Sequence, residues 1–314
     1  MLVRQTLSWR SPLSYSKVER YALALCALFY FGIFALPAQD GVSTNTAQEQ
    51  QLVDPLHNAQ MAAILHQMDI FNGDSATVLI GSLLSAIEED EIEIRYYLLS
   101  YRAEVLYYEG LFNEAMRDLD RAEQMAFQLD DSLKIANVYN LKGLLHENIQ
   151  NGDLAIPYLK KALHWFPVRS RTSWPLSELH HIHGNLGTYL TRSLNSDSAE
   201  YHLRRSLALA TLAGQGRAIA VANWSLGELD LELQNTDSAL THFARAFKGT
   251  LDSKDQDVAL DALVGKAKAL ILLRRMEEAE RTLAIAEQHL SIHMNEIGAA
   301  TRRNFARDAS RAYE

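Results

Sequence analysis

A short turn sequence that recurs about every forty residues limits the folds open to this chain of 314 residues. Four copies begin with Asn, have Asp two residues later and end in Ala, at residues 72–76, 151–155, 195–199 and 235–239. Two looser copies end at Ala115 and Ala279, and successive alanines are 39, 40, 44, 40 and 40 residues apart. A period of this length is typical of stacked helical repeats, which grow by adding units rather than by enlarging one core.

Apolar and small residues keep fixed positions relative to each alanine. An Ile, Leu or Phe stands four residues after it, and in most copies an Ala follows three residues later. Steps of four and three place side chains on one face of a helix. Twelve residues before the alanine, five of the six copies have Gly or Ala, which predicts a close approach of two helices. Each unit is therefore predicted to be a helix, a tight turn and a second helix.

The residue two before each alanine is expected to cap the second helix. It is Asp, Asn or Glu in all six copies, namely Asp74, Asn113, Asp153, Asp197, Asp237 and Glu277. An Asp or Asn side chain at a helix start accepts a hydrogen bond from an unpaired backbone N–H, which stabilises the helix by about 1 kcal/mol. We therefore expect these side chains to be N-caps.

This frame resembles the tetratricopeptide repeat (TPR) family. In the unit that matches best, the family's small, Ala, Leu, Ala and Pro positions are Gly143, Ala155, Leu159, Ala162 and Pro167. Residues 186–187 and 226–227 match the Leu-Gly pair of the family's first helix. The period is longer than the family's usual ~34 residues and is similar to that of longer-helix members, such as kinesin light chains and many bacterial signalling proteins. The resemblance implies an all-α fold, a right-handed α-solenoid of about six TPR-like repeats over residues 56–292.

A basic segment followed by an apolar run precedes the repeats. Four Lys and Arg residues within 1–20 are followed by the apolar run 21–36 and then by polar chain. This order predicts a secretory signal, residues 1–38, that is cleaved after Ala38 or is kept as a membrane anchor. Either outcome puts the body of the chain outside the cytoplasm. We expect a periplasmic or cell-envelope location, with membrane contact only through residues 21–38 if they are uncleaved.

The ends of the repeat region lead to two further predictions. Residues 39–55 are polar and have no helical period, so they are predicted to be a flexible linker. Residues 293–314 begin another helical pattern. This segment is predicted to be either a C-terminal capping helix or half of a seventh repeat.

The resemblance also implies which residues face a binding groove, because the first helices of TPR proteins line the concave face. These residues are Tyr97, Tyr101, Glu104, Tyr108, Asn137, Asn140, Glu147, Asn148, His181, Asn185, Thr188, Arg192, Trp224, Ser225 and Glu228. Aromatic rings supply rigid contact area and amides hydrogen-bond an extended backbone, so this set favours peptide binding. The alternative is that the tyrosines only fill the space between adjacent helices.

A longer connection between the third and fourth units offers further contact residues. It contains Arg169, Arg171 and Trp174, and loops of this kind often carry binding residues. The alternative for Trp174 is that it packs back onto a helix.

Residue patterns typical of enzymes, cofactors or metals are missing from the sequence. It contains neither a phosphate-binding loop nor a nucleophile elbow. His180, His181 and His183 are close in sequence, but helical geometry does not make all three converge, so no metal is expected. The net charge of −9 argues against a nucleic-acid partner.

The leading hypothesis is a non-enzymatic scaffold or adaptor that binds a protein or peptide in the concave groove, without a cofactor. One alternative is the ligand- or protein-sensing region of a bacterial signal-transduction regulator whose effector part is missing. Another is a metal-dependent hydrolase that uses the histidine cluster.

Overall fold

Helices account for all the regular structure in the described part of the chain. The computed structural model describes residues 55–69, 73–148, 152–166, 174–251 and 255–296. Its helices are α1 (Pro55–Asp69), α2 (Gly73–Ala86), α3 (Ile92–Tyr108), α4 (Phe112–Gln128), α5 (Ser132–Asn148), α6 (Gly152–Trp165), α7 (Trp174–Arg192), α8 (Ser196–Ala213), α9 (Gly216–Glu232), α10 (Thr236–Gly249), α11 (Gln256–Leu272) and α12 (Met276–Glu296). Consecutive helices pack in pairs, and each pair forms one unit. We call the odd-numbered helices first helices and the even-numbered ones second helices.

Small residues let the two helices of a unit approach closely. A Cβ added to Gly187 would lie 2.6 Å from Cδ2 of Leu203, and one added to Gly227 would lie 2.7 Å from Cε1 of Phe243. The ring of Phe243 also occupies the space that a side chain on Gly265 of the next unit would need. The six repeat alanines at the turns are fully buried. The helix-turn-helix units predicted from the spacing are therefore confirmed.

The prediction of the helix caps is wrong. Helix α8 begins at Ser196, so Asp197 lies inside its first turn, and Asn195 at the cap position makes no side-chain cap hydrogen bond. Asn235 before α10 and Leu111 before α4 also make no such bond. A carboxylate in the first turn still interacts favourably with the exposed N–H groups there.

The backbone, rather than a side chain, sets these turns. Leu194, Gln234 and Arg274 follow the ends of α7, α9 and α11 and have positive φ angles of 58°, 61° and 61°. The N–H of the next residue then bonds to a carbonyl five residues back, as in Asn195 to Leu190 at 3.0 Å. This arrangement satisfies the last carbonyls of the helix. It leaves a single residue before the second helix, which therefore begins earlier than predicted.

The array curves towards its first helices. Consecutive first helices from α3 to α11 contact one another, most closely where α9 meets α7 and α11. Within the described ranges, no pair of consecutive second helices makes comparable contact. The predicted α-solenoid of six units is thus confirmed, and we call the surface formed by the first helices the inner face.

Several predictions concern residues outside this description. They are the signal or anchor segment 1–38, the linker as far as residue 54, and the chain after residue 296. Among the described helices, none has both the length and the hydropathy to cross a membrane.

Candidate functional site on the inner face

One end of the inner face is aromatic. The rings of Tyr97 and Tyr101 on α3 stack with their centroids 6.2 Å apart, and both side chains are half-buried. Nζ of Lys134 on α5 lies 5.1 Å from the ring centroid of Tyr97. Carboxylates of Glu93 and Asp131, at 2.9 and 2.7 Å, hold this ammonium in place. The tyrosines therefore form an ordered surface with a cation fixed beside it.

The aromatic surface continues to the end of α3. The rings of Tyr107 and Tyr108 meet edge to face with their centroids 5.4 Å apart. Burial raises the pKa of Tyr108, and the charge of Glu104 adds to this rise. The charges of Arg217 on α9 and Asp257 on α11 also act on this phenol, the first lowering and the second raising its pKa.

Amide and hydroxyl groups connect the first helices in the middle of the array. Nδ2 of Asn185 on α7 donates a hydrogen bond of 2.9 Å to Oδ1 of Asn140 on α5. Oγ1 of Thr188 lies 3.4 Å from Oγ of Ser225 on α9. We call Asn140, Asn185, Thr188 and Ser225 the polar row. It joins three consecutive units along the inner face.

A cleft lies between α7, α9 and α11, next to the polar row. The cleft opens to solvent. The residues that line it are His180, His181, Gly184, Asn185, Thr188, Ser206, Ala218, Val221, Ala222, Trp224, Ser225, Asp257, Val258 and Asp261. Five of them belong to the predicted groove set, namely His181, Asn185, Thr188, Trp224 and Ser225. We call this space the acidic cleft, because its lining residues with carboxyl groups are Asp257 and Asp261.

A buried ion pair crosses from α9 to α11 at the cleft. Arg217 donates to both carboxylate oxygens of Asp257, at 2.9 and 2.5 Å, and to Oδ1 of Asp255 at 2.9 Å. Burial disfavours the charge on Arg217, but the two carboxylates outweigh this effect and raise its pKa. Asp257 is therefore an ionised carboxylate whose charge is already balanced.

Asp261, one turn further along α11, has no such balance. Its Oδ1 is buried and has no hydrogen-bond partner. Burial raises the pKa of Asp261 well above its usual value, and the charges of Asp257 and Glu228 raise it further. The opposing charges of Lys268 and Arg217 do not reverse this rise.

Of the three clustered histidines, His180 and His181 lie side by side with ring centroids 3.9 Å apart, and His183 lies apart from the cleft. His181 lines the acidic cleft, where burial and then the charges of His180 and Arg217 lower its pKa well below the usual value, so it is neutral at physiological pH. His183 is buried away from the cleft, with its Nδ1 2.8 Å from Nδ1 of His202 on α8. In the described part of the chain, no group of three His, Cys, Asp or Glu side chains is arranged to hold a metal ion.

The remaining predicted residues lie outside the cleft. Arg192 is exposed beside the ring of Tyr189, Asn137 is exposed, and Glu228 is half-buried with its carboxylate 3.8 Å from Nζ of Lys268. Glu147 and Asn148 end α5 and Trp174 begins α7, but their side chains are outside the description, as are the loop residues Arg169 and Arg171.

Sequence reasoning missed Asp261, although the repeat frame contained the signal. Tyr97, Asn137 and His181 each stand eighteen residues before their repeat alanine. In the sixth unit this position is Asp261. Extending the predicted groove set by one unit would have included it.

Comparisons with known proteins agree with the fold. No protein-family model matches the sequence, and no curated protein matches it. The structure of a Rap protein complexed with Competence and Sporulation Factor is similar with a TM-score of 0.61 and 14% identity, over 88% of this chain and 78% of that one. The structure of NprR in complex with its cognate peptide NprX is similar with a TM-score of 0.59 and 14% identity, over 92% of this chain and 80% of that one. The structure of BtubC from P. vanneervenii is similar with a TM-score of 0.55 and 16% identity, over 73% of this chain and 92% of that one. Together with the repeat frame, these neighbours show that the chain has a tetratricopeptide-like helical repeat fold.

Proposed function

We propose that the protein is a non-enzymatic scaffold or adaptor that binds a peptide or protein along its inner face. The observation that carries this proposal is the continuity of the polar row with the acidic cleft. Along the row, the half-buried Asn185 and Thr188 of α7 present an amide and a hydroxyl group to a peptide, and such groups hydrogen-bond an extended backbone. The ordered tyrosines of α3 add rigid aromatic area of the kind that dominates binding energy at interfaces.

The structures of similar fold support this type of ligand. NprR was solved with its cognate peptide, and a Rap protein was solved with Competence and Sporulation Factor. The same arrangement of stacked helix pairs thus accommodates peptide ligands in NprR. For the present chain, the ligand class follows from the chemistry of its own inner face.

The test is binding of the full-length protein to an array of random linear peptides. The inner-face variant is Tyr101→Ala, Asn140→Ala and Asn185→Ala. Replacing both asparagines together avoids leaving one buried amide without its partner, which would cost about 1–3 kcal/mol. We expect a set of peptides that the wild type binds and this variant loses.

A matched control removes similar groups from second helices. Tyr201, Asn113 and Gln124 are exposed on α8 and α4, and their replacement by Ala should leave peptide binding unchanged. Circular dichroism would establish that both triple variants keep their helix content. Equal binding by the inner-face variant and the wild type would contradict the proposal.

We further propose that the protein acts outside the cytoplasm, in the periplasm or cell envelope. The basic and apolar order of residues 1–38 supports this location. Alkaline phosphatase fused after residue 54 should be active in cells, because that enzyme needs an oxidising compartment for its disulfides. An inactive fusion that accumulates to a normal level would argue against export.

A further inference from the structure

We propose that the acidic cleft binds the positively charged group of the peptide ligand, either a Lys or Arg side chain or a free N-terminal ammonium. This inference rests on the proposed function and specifies the ligand that the inner face selects. It begins from Asp261, whose buried Oδ1 has no hydrogen-bond partner and which lines the cleft.

An unpartnered buried carboxylate oxygen favours a cationic ligand. Removing an ionised carboxylate from water costs several kcal/mol unless a counter-charge and hydrogen bonds replace the lost hydration. Asp257 has this compensation from Arg217, whereas Oδ1 of Asp261 has none. An ammonium or guanidinium group in the cleft would supply the missing donor and the missing charge.

The charges around the cleft leave a negative excess. Glu228 on α9, Asp255 just before α11 and Asp257 on α11 face two cations, Arg217 and Lys268, so carboxylates outnumber cations even when Asp261 is protonated. Arg217 is occupied by Asp255 and Asp257, and Nζ of Lys268 lies 3.8 Å from the carboxylate of Glu228. The described lining residues include neither Lys nor Arg.

On the wall formed by α7, His181 does not repel a cation. His181 stands on that wall, and burial lowers its pKa well below the usual value, so it carries no charge at physiological pH. Trp224 also lines the cleft, and an indole attracts a nearby cation through the electron density of its ring. Asn185 and Ser225 belong to both the cleft and the polar row, so a peptide backbone on the row would bring its side chain or terminus to Asp261.

Binding of a cation should release a proton. Burial, Asp257 and Glu228 raise the pKa of Asp261, while Lys268 and Arg217 oppose them only in part. A cation beside Asp261 favours the ionised form and would lower this pKa again. The affinity for cationic peptides should therefore rise with pH, by at most about tenfold per pH unit for one linked proton.

The test uses the full-length protein and an array of linear peptides synthesised in matched series. In one series Lys and Arg are replaced by Met or Gln, and in the other the N-terminus is either free or acetylated. We expect bound peptides to require a positive charge, and either requirement is the expected result. Loss of binding on replacement of the basic residues identifies a side chain as the cation, whereas loss on acetylation identifies the terminal ammonium.

The variant that separates the cleft from the rest of the inner face is Asp261→Asn. It keeps the shape of the side chain and removes the charge, so the fold should be preserved. We expect it to lower the affinity for cationic peptides about tenfold or more, since hydrogen bonds to charged groups contribute about 1.5–3 kcal/mol. Asp197→Asn makes the same change on an exposed position of α8 and should have no effect. The rise of affinity with pH should also disappear in Asp261→Asn.

Two results would overturn the inference alone, and a third would overturn the proposed function with it. If peptides bind without a preference for positive charge, or if Asp261→Asn binds cationic peptides as the wild type does, the cleft is not a cation site, while the proposed function stands. If the wild type binds no peptide, both proposals are wrong.

Discussion

Helices α3 and α11 occupy equivalent places in two units but give the inner face opposite chemistry. Eighteen residues before the repeat alanine, α3 has Tyr97 in a stack of rings and α11 has Asp261 with a buried, unpartnered oxygen. Twelve residues before it, both helices have a buried alanine, Ala103 and Ala267, on the side that packs against the second helix. Positions that hold the units together are therefore uniform, and inner-face positions vary without changing the fold. For this reason, each unit of the array can present a different chemistry to a ligand.

The largest effect should come from the ion pair that distinguishes α9 and α11 from the aromatic end. Arg217→Met leaves Asp255 and Asp257 without their cation, and breaking a buried pair in this way costs about 3–5 kcal/mol. Urea unfolding followed by circular dichroism measures the loss. Arg204→Met removes an exposed pair with Glu200 and should cost well under about 1 kcal/mol. A similar small loss for Arg217→Met would mean that the acidic end does not depend on this pair.

The next largest difference is expected between two adjacent residues of α7. Gly187 packs against the second helix of its unit, and Thr188 lies on the inner face. Gly187→Leu places a side chain where Leu203 already lies, and overpacking of this kind costs about 1–3 kcal/mol. Thr188→Ala removes a half-buried hydroxyl of the polar row, with an expected loss of about 1 kcal/mol or less. Thermal unfolding of the wild type and of both variants measures the two losses of stability. An equal loss for Thr188→Ala would show that the polar row also holds the units together.

Above about pH 4, the acidic end should also show a pH dependence that the tyrosines of the aromatic end do not. The folded state binds the proton of Asp261 more strongly than the unfolded chain does, so ionisation of Asp261 destabilises the fold above the unfolded pKa of about 4. The stability of Asp261→Asn relative to wild type should therefore rise with pH from about pH 4, by at most about 1.4 kcal/mol per unit. Asp257 and Glu228 strengthen this effect, and Arg217 and Lys268 weaken it.

Urea unfolding of wild type and Asp261→Asn across this pH range measures the difference. At the aromatic end, burial raises the pKa of Tyr96 and Tyr108, which moves their titration further from neutral pH. Phenylalanine variants of these tyrosines should give a difference that does not vary with pH between about 4 and 8. A pH-independent difference for Asp261→Asn would mean that its carboxyl is solvated.

The smallest expected effect concerns the turns that follow the two helices. The chain leaves α3 through Gly110 with φ 74° and α11 through Arg274 with φ 61°. An L-residue other than Gly in this region costs about 1–2 kcal/mol, so Arg274→Gly should raise the stability by about 1 kcal/mol. Gly110→Ala should lower it by a similar amount. Melting temperatures would reveal both changes, and a loss of stability in Arg274→Gly would show that the Arg side chain stabilises this turn.

The repeat frame was predictable from the sequence because helix packing imposes it. Gly187 and Leu203 must be small and apolar at fixed distances from Ala199 for α7 and α8 to meet, and the spacing records this requirement. The start of α8 was not predictable from Asp197, because the turn depends on the positive φ of Leu194, a residue type that does not signal it.

The inner face was predictable in outline only. The helix that carries each polar residue followed from the resemblance, but the burial of Asn140 and Trp224 depends on the packing between units. The pair Arg217 and Asp257 joins equivalent positions of adjacent units, forty residues apart, and opposite charges at such positions are a signal that sequence reasoning could use. The scaffold and sensing-region hypotheses share the same groove, and the choice between them stays a prediction.

Phe243 gives the end of the array a cooperativity that its repeat architecture alone would not require. Its fully buried ring is enclosed by Gly227 of its own unit and Gly265 of the next, so a single side chain completes two interfaces. If α11 and α12 separate from the array, the ring loses the cover that Gly265 provides. Opening of the last unit is therefore linked to loosening of α10, and the amides of all three helices should exchange with solvent together. The acidic cleft needs both α9 and α11, and it is kept assembled by a residue that does not line it.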